Sequence, residues 1–211
     1  MDAIYAFLTL KISSIEFRKC LLEDEELLER IAAKLPKSTF AHDPEWKDSP
    51  MCAEAFAYDD FDLRKTFTTG YYGLGKLWGA CHGYKLIHAL FHDEYPGIER
   101  SDYYSRLYDL AMDCVPSYVE SREASEVIFS VILGTEGLPK AERRKQIKAQ
   151  IAELFFLNES KKRPRWIQES DWPLYDGRPM RFVGQKEQGE VTRYTFEDDQ
   201  TKIRRIIEQC Y

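Results

Sequence analysis

The chain has 211 residues, 44% of them hydrophobic, and a formal net charge of −6. This length and composition suffice for one sizeable hydrophobic core and are not those of a disordered chain. No run approaches the roughly 18 apolar residues of a membrane-spanning helix, and the first twenty residues lack the cationic lead of a secretory signal. We therefore expect neither a membrane span nor secretion.

The cysteines point to a reducing compartment. There are five, an odd number, and no Cys-x-x-Cys pair occurs among them. Such scattered cysteines argue against a disulfide framework and against a zinc ribbon. We expect reduced thiols and a cytoplasmic protein.

The charge is unevenly distributed along the chain. Residues 1–136 hold 14 Lys and Arg against 24 Asp and Glu, whereas residues 137–166 hold 9 basic residues against 3 acidic ones. An acidic body with one basic segment disfavours nucleic-acid binding over the whole surface. It suits either a basic protein partner or plain solubility.

Two helices are predicted within the first 36 residues. Residues 3–20 are apolar and fit either a helix or a strand that leads into a helix from Ser13 or Ser14. Asp24 is placed to cap the next helix, which ends before Pro36. The inward positions of that helix are Leu27, Leu28, Ile31 and Leu35.

Residues 51–67 mix aromatic side chains with carboxylates. We expect a helix whose aromatic rings pack inward and whose carboxylates face water. Exposed carboxylates beside aromatic rings also suit a surface for a basic partner, since aromatic anchors supply affinity and charges steer the encounter. The predicted partner-binding residues of this segment are Tyr58, Asp59, Asp60, Phe61 and Asp62.

The stretch from Gly70 to His92 is the predicted centre of the fold. A helix from Leu74 would gather a mostly apolar face on one side and place three glycines, four residues apart, on another. Missing side chains let a neighbouring backbone approach closely, so packing on both faces must offset the cost of the glycines. We predict a buried helix around which others pack; the alternative is a glycine-rich loop with a shorter helix from Leu77.

His88 and His92 lie one turn apart near the end of this helix, and Asp93 follows them. Two histidines four residues apart can bind a metal, with Asp93, Glu94 or His42 as a further ligand. A metal-dependent hydrolase is therefore the alternative function. The segment lacks the inner glutamate of a His-Glu-x-x-His motif, which favours a structural role at the helix end. We accordingly predict no metal and no cofactor.

Three more helices are predicted between residues 101 and 157. Ser101 caps the first, the second ends at Gly134, and Pro139 opens the third. The predicted inward stripe of the third helix is Ile147, Ile151, Leu154 and Phe155. The third helix carries a basic face, which together with residues 161–165 and Trp166 would suit a nucleic-acid module. A solvated helix face is the more frequent meaning of such charges, so nucleic acid is a disfavoured partner.

After a basic linker at 158–166, the hydrophobic period changes from 3.6 toward 2. Alternating residues around Phe182 and Tyr194, with β-branched residues at 203–211, predict three antiparallel strands. A sheet this small is marginal alone, so it should lean one face on the helices.

The predicted fold class is therefore α+β and predominantly α. It consists of a helical, bundle-like domain at 1–157, the linker at 158–166, and a C-terminal three-stranded antiparallel meander at 167–211.

The C-terminal region also resembles a known family. The motifs that carry the resemblance are Pro164-Arg165-Trp166-Ile167-Gln168, Trp172-Pro173, Asp176-Gly177-Arg178-Pro179-Met180, Phe182-Val183-Gly184-Gln185 and Tyr194-Thr195-Phe196. They are similar to the C-terminal region of small bacterial immunity-type proteins, which are cytoplasmic partners that protect a cell against a toxin delivered by its kin. The resemblance is confined to this region and carries over no catalytic residue.

The resemblance implies a non-catalytic binding protein that docks a cognate toxin domain and occludes its active surface. An acidic body implies that this toxin domain is basic. Trp172 and Tyr175 complete the predicted partner-binding residues. The oligomeric state is left open by the sequence.

Overall fold

The computed structural model describes residues 2–34, 77–121, 123–159 and 162–211, with Trp78 described by its backbone alone. These residues form seven α-helices, a three-stranded antiparallel sheet and a smaller two-stranded sheet. The predicted helix-dominated α+β class is confirmed. None of the described helices combines the length and the apolar composition that crossing a membrane requires.

The chain divides into two compact units, residues 1–108 (unit 1) and residues 109–211 (unit 2). The described part of unit 1 begins with three short helices and continues with a longer one. They are α1 (Ala3–Leu8), α2 (Ser14–Glu23), α3 (Glu25–Lys34) and α4 (Leu77–Phe91).

Local side-chain caps fix where the first three helices begin. Asp2 Oδ1 accepts the N–H of Tyr5 at 3.0 Å at the start of α1. Ser13 and Glu16 form a reciprocal capping box at the start of α2. Asp24 accepts a backbone N–H at 3.0 Å in the first turn of α3. The helix predicted from Ser13 or Ser14 and the cap predicted at Asp24 are both confirmed, and residues 3–8 form a helix rather than a strand.

The buried helix of unit 1 is α4, which packs against α1 and α3. Its Gly79 and Gly83 are buried, as the predicted close approach requires. The hydroxyl of Tyr84 donates to the carbonyl of Leu8 at 2.9 Å and accepts the N–H of Ser101 at 3.3 Å. The prediction of a buried helix is confirmed; its predicted start at Leu74 and the alternative loop lie outside the described residues. The buried apolar side chains of α4 are Leu77, Ala80, Cys81, Tyr84, Leu86, Ile87 and Phe91.

An ionic cluster ties α3 to the start of the chain and to the turn after α4. Arg30 donates to Asp2 at 2.8 Å, to Glu94 at 2.5 Å and to the hydroxyl of Tyr95 at 2.9 Å. Burial alone would raise the pKa of Asp2, but the hydrogen bonds from Arg30, Tyr5 and Tyr95 outweigh it and lower that pKa to about 2. Asp2 is therefore a carboxylate that the fold holds in its charged form.

The next helix, α5 (Tyr103–Cys114), crosses the division between the units. The hydroxyl of Ser101 accepts the N–H of Tyr103 at 3.1 Å, which confirms the predicted cap. Unit 2 then contains a short 3-10 turn and two longer helices. These are Ser117–Val119, α6 (Ser125–Gly134) and α7 (Lys140–Leu154).

The predicted inward stripe of α7 is correct except at its end. Ile147, Ile151 and Phe155 are buried, whereas Leu154 is 38% exposed. The reason is that α7 ends at Leu154, and Phe155 turns inward as the chain leaves the helix.

Five strands follow in unit 2. They are β1 (Leu174–Tyr175), β2 (Arg178–Pro179), β3 (Arg181–Gln188), β4 (Val191–Glu197) and β5 (Arg204–Cys210). The order β3-β4-β5, antiparallel throughout, confirms the predicted meander. The hairpin of β1 and β2 was not predicted; Asp176 and Gly177 form its turn with positive φ angles of 50° and 72°.

One face of the three-stranded sheet supplies the core of unit 2. Tyr194 and Phe196 are fully buried on β4. Trp172 packs edge-on against Phe196, with ring centroids 5.2 Å apart, and against Phe155 at the end of α7, at 5.4 Å. The sheet therefore leans on the end of α7, which offsets the weakness of so small a sheet.

Part of the predicted linker also packs on the sheet. The ring centroid of Trp166 lies 4.4 Å from that of Tyr194, and its indole N–H donates to the carbonyl of Tyr118 at 2.8 Å. The two compact units meet at residues 108 and 109, inside α5, and the domain boundary predicted at 158–166 stays a prediction. Within unit 2, Trp172 packs between Phe155 at the end of α7 and Phe196 of β4.

Candidate functional site

The residues predicted to bind a partner fall into three situations. Those at 58–62 lie outside the described residues. Trp172 is only 1% exposed, and its indole N–H donates to the carbonyl of Met180 at 2.8 Å. Tyr175 is half-buried in the hairpin of β1 and β2. The structure therefore uses Trp172 as an interior side chain, because its ring fills the space between the end of α7 and the sheet.

His88 and His92, predicted as a possible metal pair, engage separate partners. Nε2 of half-buried His88 lies 3.0 Å from the carbonyl oxygen of Ile98. Nδ1 of exposed His92 lies 2.9 Å from a carboxylate oxygen of Asp93. Within residues 2–34, 77–121, 123–159 and 162–211, no three His, Cys, Asp or Glu side chains are grouped as metal ligands. The predicted further ligand His42 lies outside these ranges.

Two cations of the basic face of α7 are used within unit 2. Arg143 donates to the carbonyl of Ile132 at 3.0 Å and to the hydroxyl of Thr135 at 3.3 Å, near the end of α6. Arg144 pairs with Asp113. Cations at a helix C-terminus satisfy its last carbonyls and oppose its negative end. A structural role therefore accounts for Arg143.

A small, shallow pocket lies in unit 2 between the end of α7 and residues 162–164. Phe155 and Trp172 contribute its apolar floor, and the guanidinium of Arg163 lies 5.0 Å from the ring centroid of Tyr118 at its rim. None of the described lining residues is a carboxylate, a histidine, a cysteine or a serine. These residues supply no carboxylate base.

A dense group of carboxylates lies in unit 1 where α2 passes into α3. We call it the acidic junction. Its members, all exposed, are Glu23, Asp24, Glu25, Glu26 and Glu29. The ammonium of Lys19 lies 3.8 Å from the carboxylate of Glu23. In the part of the chain that the structure describes, Glu26 and Glu29 make no ion pair. The junction therefore places concentrated negative charge on the surface of unit 1.

Helix energetics explain some of these carboxylates but not all. Asp24, Glu25 and Glu26 stand at the positive N-terminal end of α3, where a carboxylate is stabilising. Glu23 is the last residue of α2, at the negative end of that helix, where a carboxylate is unfavourable by about 0.3–1 kcal/mol. Its ion pair with Lys19 has the weaker of the two i,i+4 orientations. The position of Glu23 is thus one that helix stability alone does not favour.

Apolar surface accompanies this charge. Leu22, next to Glu23, is 59% exposed, and Ile15, two helical turns earlier on the same face of α2, is also exposed. Protein interfaces commonly have an apolar centre and a polar rim, and Leu22 and Ile15 beside these carboxylates fit that arrangement. Sequence patterns indicated Asp24 only as a helix cap, so this surface was not predicted. The available signal was a run in which five of seven consecutive residues, 23–29, are acidic.

Comparison with known proteins adds no assignment. No family model, no curated protein and no solved structure matches this chain.

Proposed function

We propose that this chain is a non-catalytic binding protein of the immunity type, which neutralises a basic toxin domain by covering its active surface. The observation that carries the proposal is the acidic junction of unit 1, with exposed Leu22 beside it. The resemblance of the C-terminal motifs to immunity-type proteins also supports it.

Electrostatics explain how such a surface would act. The exposed carboxylates of the junction would attract a cationic domain over a distance of about 8 Å at physiological salt and raise the rate of productive encounter. Leu22 and Ile15 would then lose water against the partner and slow its dissociation. The combination of fast association and apolar anchoring suits a protein that must neutralise a toxin before it acts.

The carboxylates at 59–62 extend the same argument. Asp59, Asp60 and Asp62, with Tyr58 and Phe61, stay predicted partner-binding residues of this function. Tyr175 stays with them as a half-buried residue on a hairpin. Trp172 contributes indirectly, by holding the core of unit 2, since its ring is not exposed.

The test begins with the proteins encoded beside this chain in its native genome. Each is expressed alone in a heterologous host, and a product that arrests growth is expressed again together with this chain. We expect growth to be restored and the two purified proteins to bind with an affinity that falls as salt is raised. If no neighbouring product is toxic, or if toxicity persists on coexpression, the proposal is wrong.

A charge-reversal variant locates the surface. Glu23→Lys/Glu26→Lys/Glu29→Lys should slow association about tenfold or more at low salt. The matched control is Glu153→Lys/Glu187→Lys/Glu190→Lys, which makes the same change of charge at exposed positions of unit 2. If the two variants weaken binding equally, net charge matters and the acidic junction does not.

A further inference from the structure

The outer edge of β5 is a strand edge on which most backbone groups have no partner among the described residues. β5 ends the order β3-β4-β5, so one side of it has no strand beside it among the described residues. Two hydrogen bonds fix its orientation: Asp198 N–H donates to Ile203 O at 2.8 Å, and Tyr211 N–H donates to Glu190 O at 3.0 Å. The backbone N–H and C=O groups of odd-numbered residues of β5 therefore point toward β4. Those of even-numbered residues point away from β4, toward the outer edge of the sheet.

Little within the described chain blocks this edge. The carbonyl of Cys210 accepts a hydrogen bond from the side chain of Gln168 at 2.9 Å. The backbone N–H groups of Arg204, Ile206 and Glu208 donate to no described residue. Natural proteins commonly protect such edges with a proline, a bulge, charged side chains or a covering segment, and of these β5 has charged side chains. β5 contains no proline and pairs with β4 without a bulge, whereas the opposite edge strand, β3, has a register shift between Phe182 and Gly184.

The edge is also held rigidly. Arg205, on the face of β5 that lies toward the core, makes two hydrogen bonds to the carboxylate of Glu123, each at 2.9 Å. Glu123 in turn accepts the N–H of Leu174 at 3.0 Å. A fork-to-fork Arg–carboxylate pair fixes geometry as well as adding stability. β5 is thus preorganised for pairing and would lose little conformational freedom on association.

The residues whose backbone groups point away from β4 are Arg204, Ile206 and Glu208. Their side chains are complementary to those of the same three residues in a second, antiparallel copy. We propose that two copies of this chain pair their β5 edges in antiparallel fashion about a two-fold axis at Ile206, which makes a six-stranded sheet. This register sets Ile206 opposite Ile206 of the second copy and Arg204 opposite Glu208 twice. Each of these three residues in each copy has one backbone N–H that points to the other copy and meets a C=O there. This register therefore forms six backbone hydrogen bonds between the copies.

The charges on this face of the sheet continue across the proposed interface. Within one copy, Glu208 pairs with Arg193 at 2.6 Å and Arg204 pairs with Glu197 at 3.0 Å. Pairing at Ile206 would align Arg193 and Glu208 of one copy with Arg204 and Glu197 of the other, so that signs alternate across four strands. A register moved by two residues toward residue 210 would place Glu208 opposite Ile206 and lose both cross-copy charge pairs. A register moved the other way would place Arg204 opposite Ile206 and Glu208 opposite Lys202, which lies before β5 begins. Charge complementarity therefore selects the second copy as occupant and Ile206 as the centre.

The self-pairing uses unit 2 alone and does not depend on the proposed toxin binding. Ile206 is 58% exposed in the single chain, so its replacement by a charged residue should leave the fold intact. In the dimer the same position lies opposite itself, and like charges directly opposite one another on paired strands repel. This difference makes position 206 a specific probe.

Sedimentation equilibrium over a concentration series is the test. The unaltered chain should reach twice its mass of 24.8 kDa. Ile206→Lys alone and Ile206→Glu alone should each raise the dimer dissociation constant about tenfold or more. An equimolar mixture of the two variants should restore the dimer, since opposite charges then meet at the two-fold axis.

Val183→Lys is the matched control, because Val183 is an exposed apolar residue on the other edge strand of the same sheet. It should leave the dissociation constant unchanged, and circular dichroism should show all variants folded. A chain that stays monomeric into the millimolar range would overturn the proposal. Three other results would also overturn it: single variants that remain dimeric, a mixture of the two variants that stays monomeric, or a control variant that dissociates as much as the Ile206 variants. Each would show that the two copies do not meet at residue 206 about a two-fold axis.

Discussion

At the scale of single residues, Trp172 shows how a motif can resemble a binding site and serve as core. Its ring contacts Phe155 and Phe196, and its indole N–H is satisfied by the carbonyl of Met180. An aromatic residue this large, buried with its polar atom paired, contributes strongly to a core. Its place in a Trp-Pro motif is thus explained by packing.

We expect Trp172→Ala to lower the free energy of unfolding by about 3–5 kcal/mol, because the lost ring leaves a cavity between α7 and the sheet. Urea denaturation followed by circular dichroism measures the change. Tyr211→Ala is the control, since Tyr211 is exposed, and should change stability by less than about 0.5 kcal/mol. Equal losses in the two variants would show that Trp172 is not a core residue.

Also at this scale, the two candidate metal-binding histidines illustrate what spacing leaves open. The i,i+4 rule places His88 and His92 near one another on a helix. The structure shows that His88 lies beside a backbone carbonyl and that His92 lies beside Asp93. Spacing within a helix could not reveal these partners, because Ile98 belongs to the segment after α4.

At the scale of elements, helix starts were the features that local sequence determined best. The capping box of Ser13 and Glu16 is formed by residues three apart, so no distant part of the chain is needed to specify it. The same holds for Asp24 at the start of α3.

We expect Ser13→Ala to destabilise unit 1 by about 1 kcal/mol, because the N–H of Glu16 loses its acceptor and the carboxylate of Glu16 loses the hydroxyl. The measurement is the unfolding free energy from chemical denaturation. Ser130→Ala is the matched control: Ser130 lies inside α6 and is exposed, and its hydroxyl bonds only the carbonyl one turn earlier. That variant should be neutral or slightly stabilising. A loss as large as that of Ser13→Ala would mean that the cap has no special role.

The strands were predicted less completely from local sequence than the helix starts. Alternation of apolar residues was enough to predict β3, β4 and β5, but the hairpin of β1 and β2 was missed because its strands have only two residues each. Its signal was Asp176-Gly177, a dipeptide that favours the positive φ angles found there. Likewise, the position of β5 at the edge of the described sheet is a property of strand order, which a single strand's sequence does not contain.

At the scale of the whole molecule, the fold holds titratable groups in states that acid will oppose. Burial, reinforced by the charge of Lys85, lowers the pKa of His82 to about 4. The pKa of Asp2 is lowered to about 2, and hydrogen bonds from arginine lower the pKa of Glu197. Both kinds of shift make the unfolded chain bind more protons than the folded one as pH falls.

We therefore expect the free energy of unfolding to be largest near neutral pH. It should fall from about pH 6.5 to pH 4, where unfolded His82 becomes protonated and folded His82 does not. It should fall further from about pH 4 to pH 2 as the carboxylate of Asp2 is lost. Urea denaturation at successive pH values tests this, with His82→Gln as the variant that should flatten the upper range and Asp2→Asn the lower. A stability that rises on acidification would contradict both assignments.

The sequence by itself determined what depends on neighbours a few residues apart. It specified the caps of α2 and α3, the buried character of α4, the helical stripe of α7 and the alternation of β3 to β5, because helical and strand periods are local properties of the chain. It also predicted an acidic body, although the acidic junction at 23–29 was overlooked.

Only the tertiary structure decided which of these residues meet. It placed Trp172 in the core, joined α6 and α7 to the sheet in one unit, and gave His88 and His92 separate neighbours. It also left β5 at an edge, with the backbone groups of Arg204, Ile206 and Glu208 pointing outward. The physical reason is that burial, pairing and free edges depend on contacts between residues far apart in the chain, which local patterns constrain but do not choose.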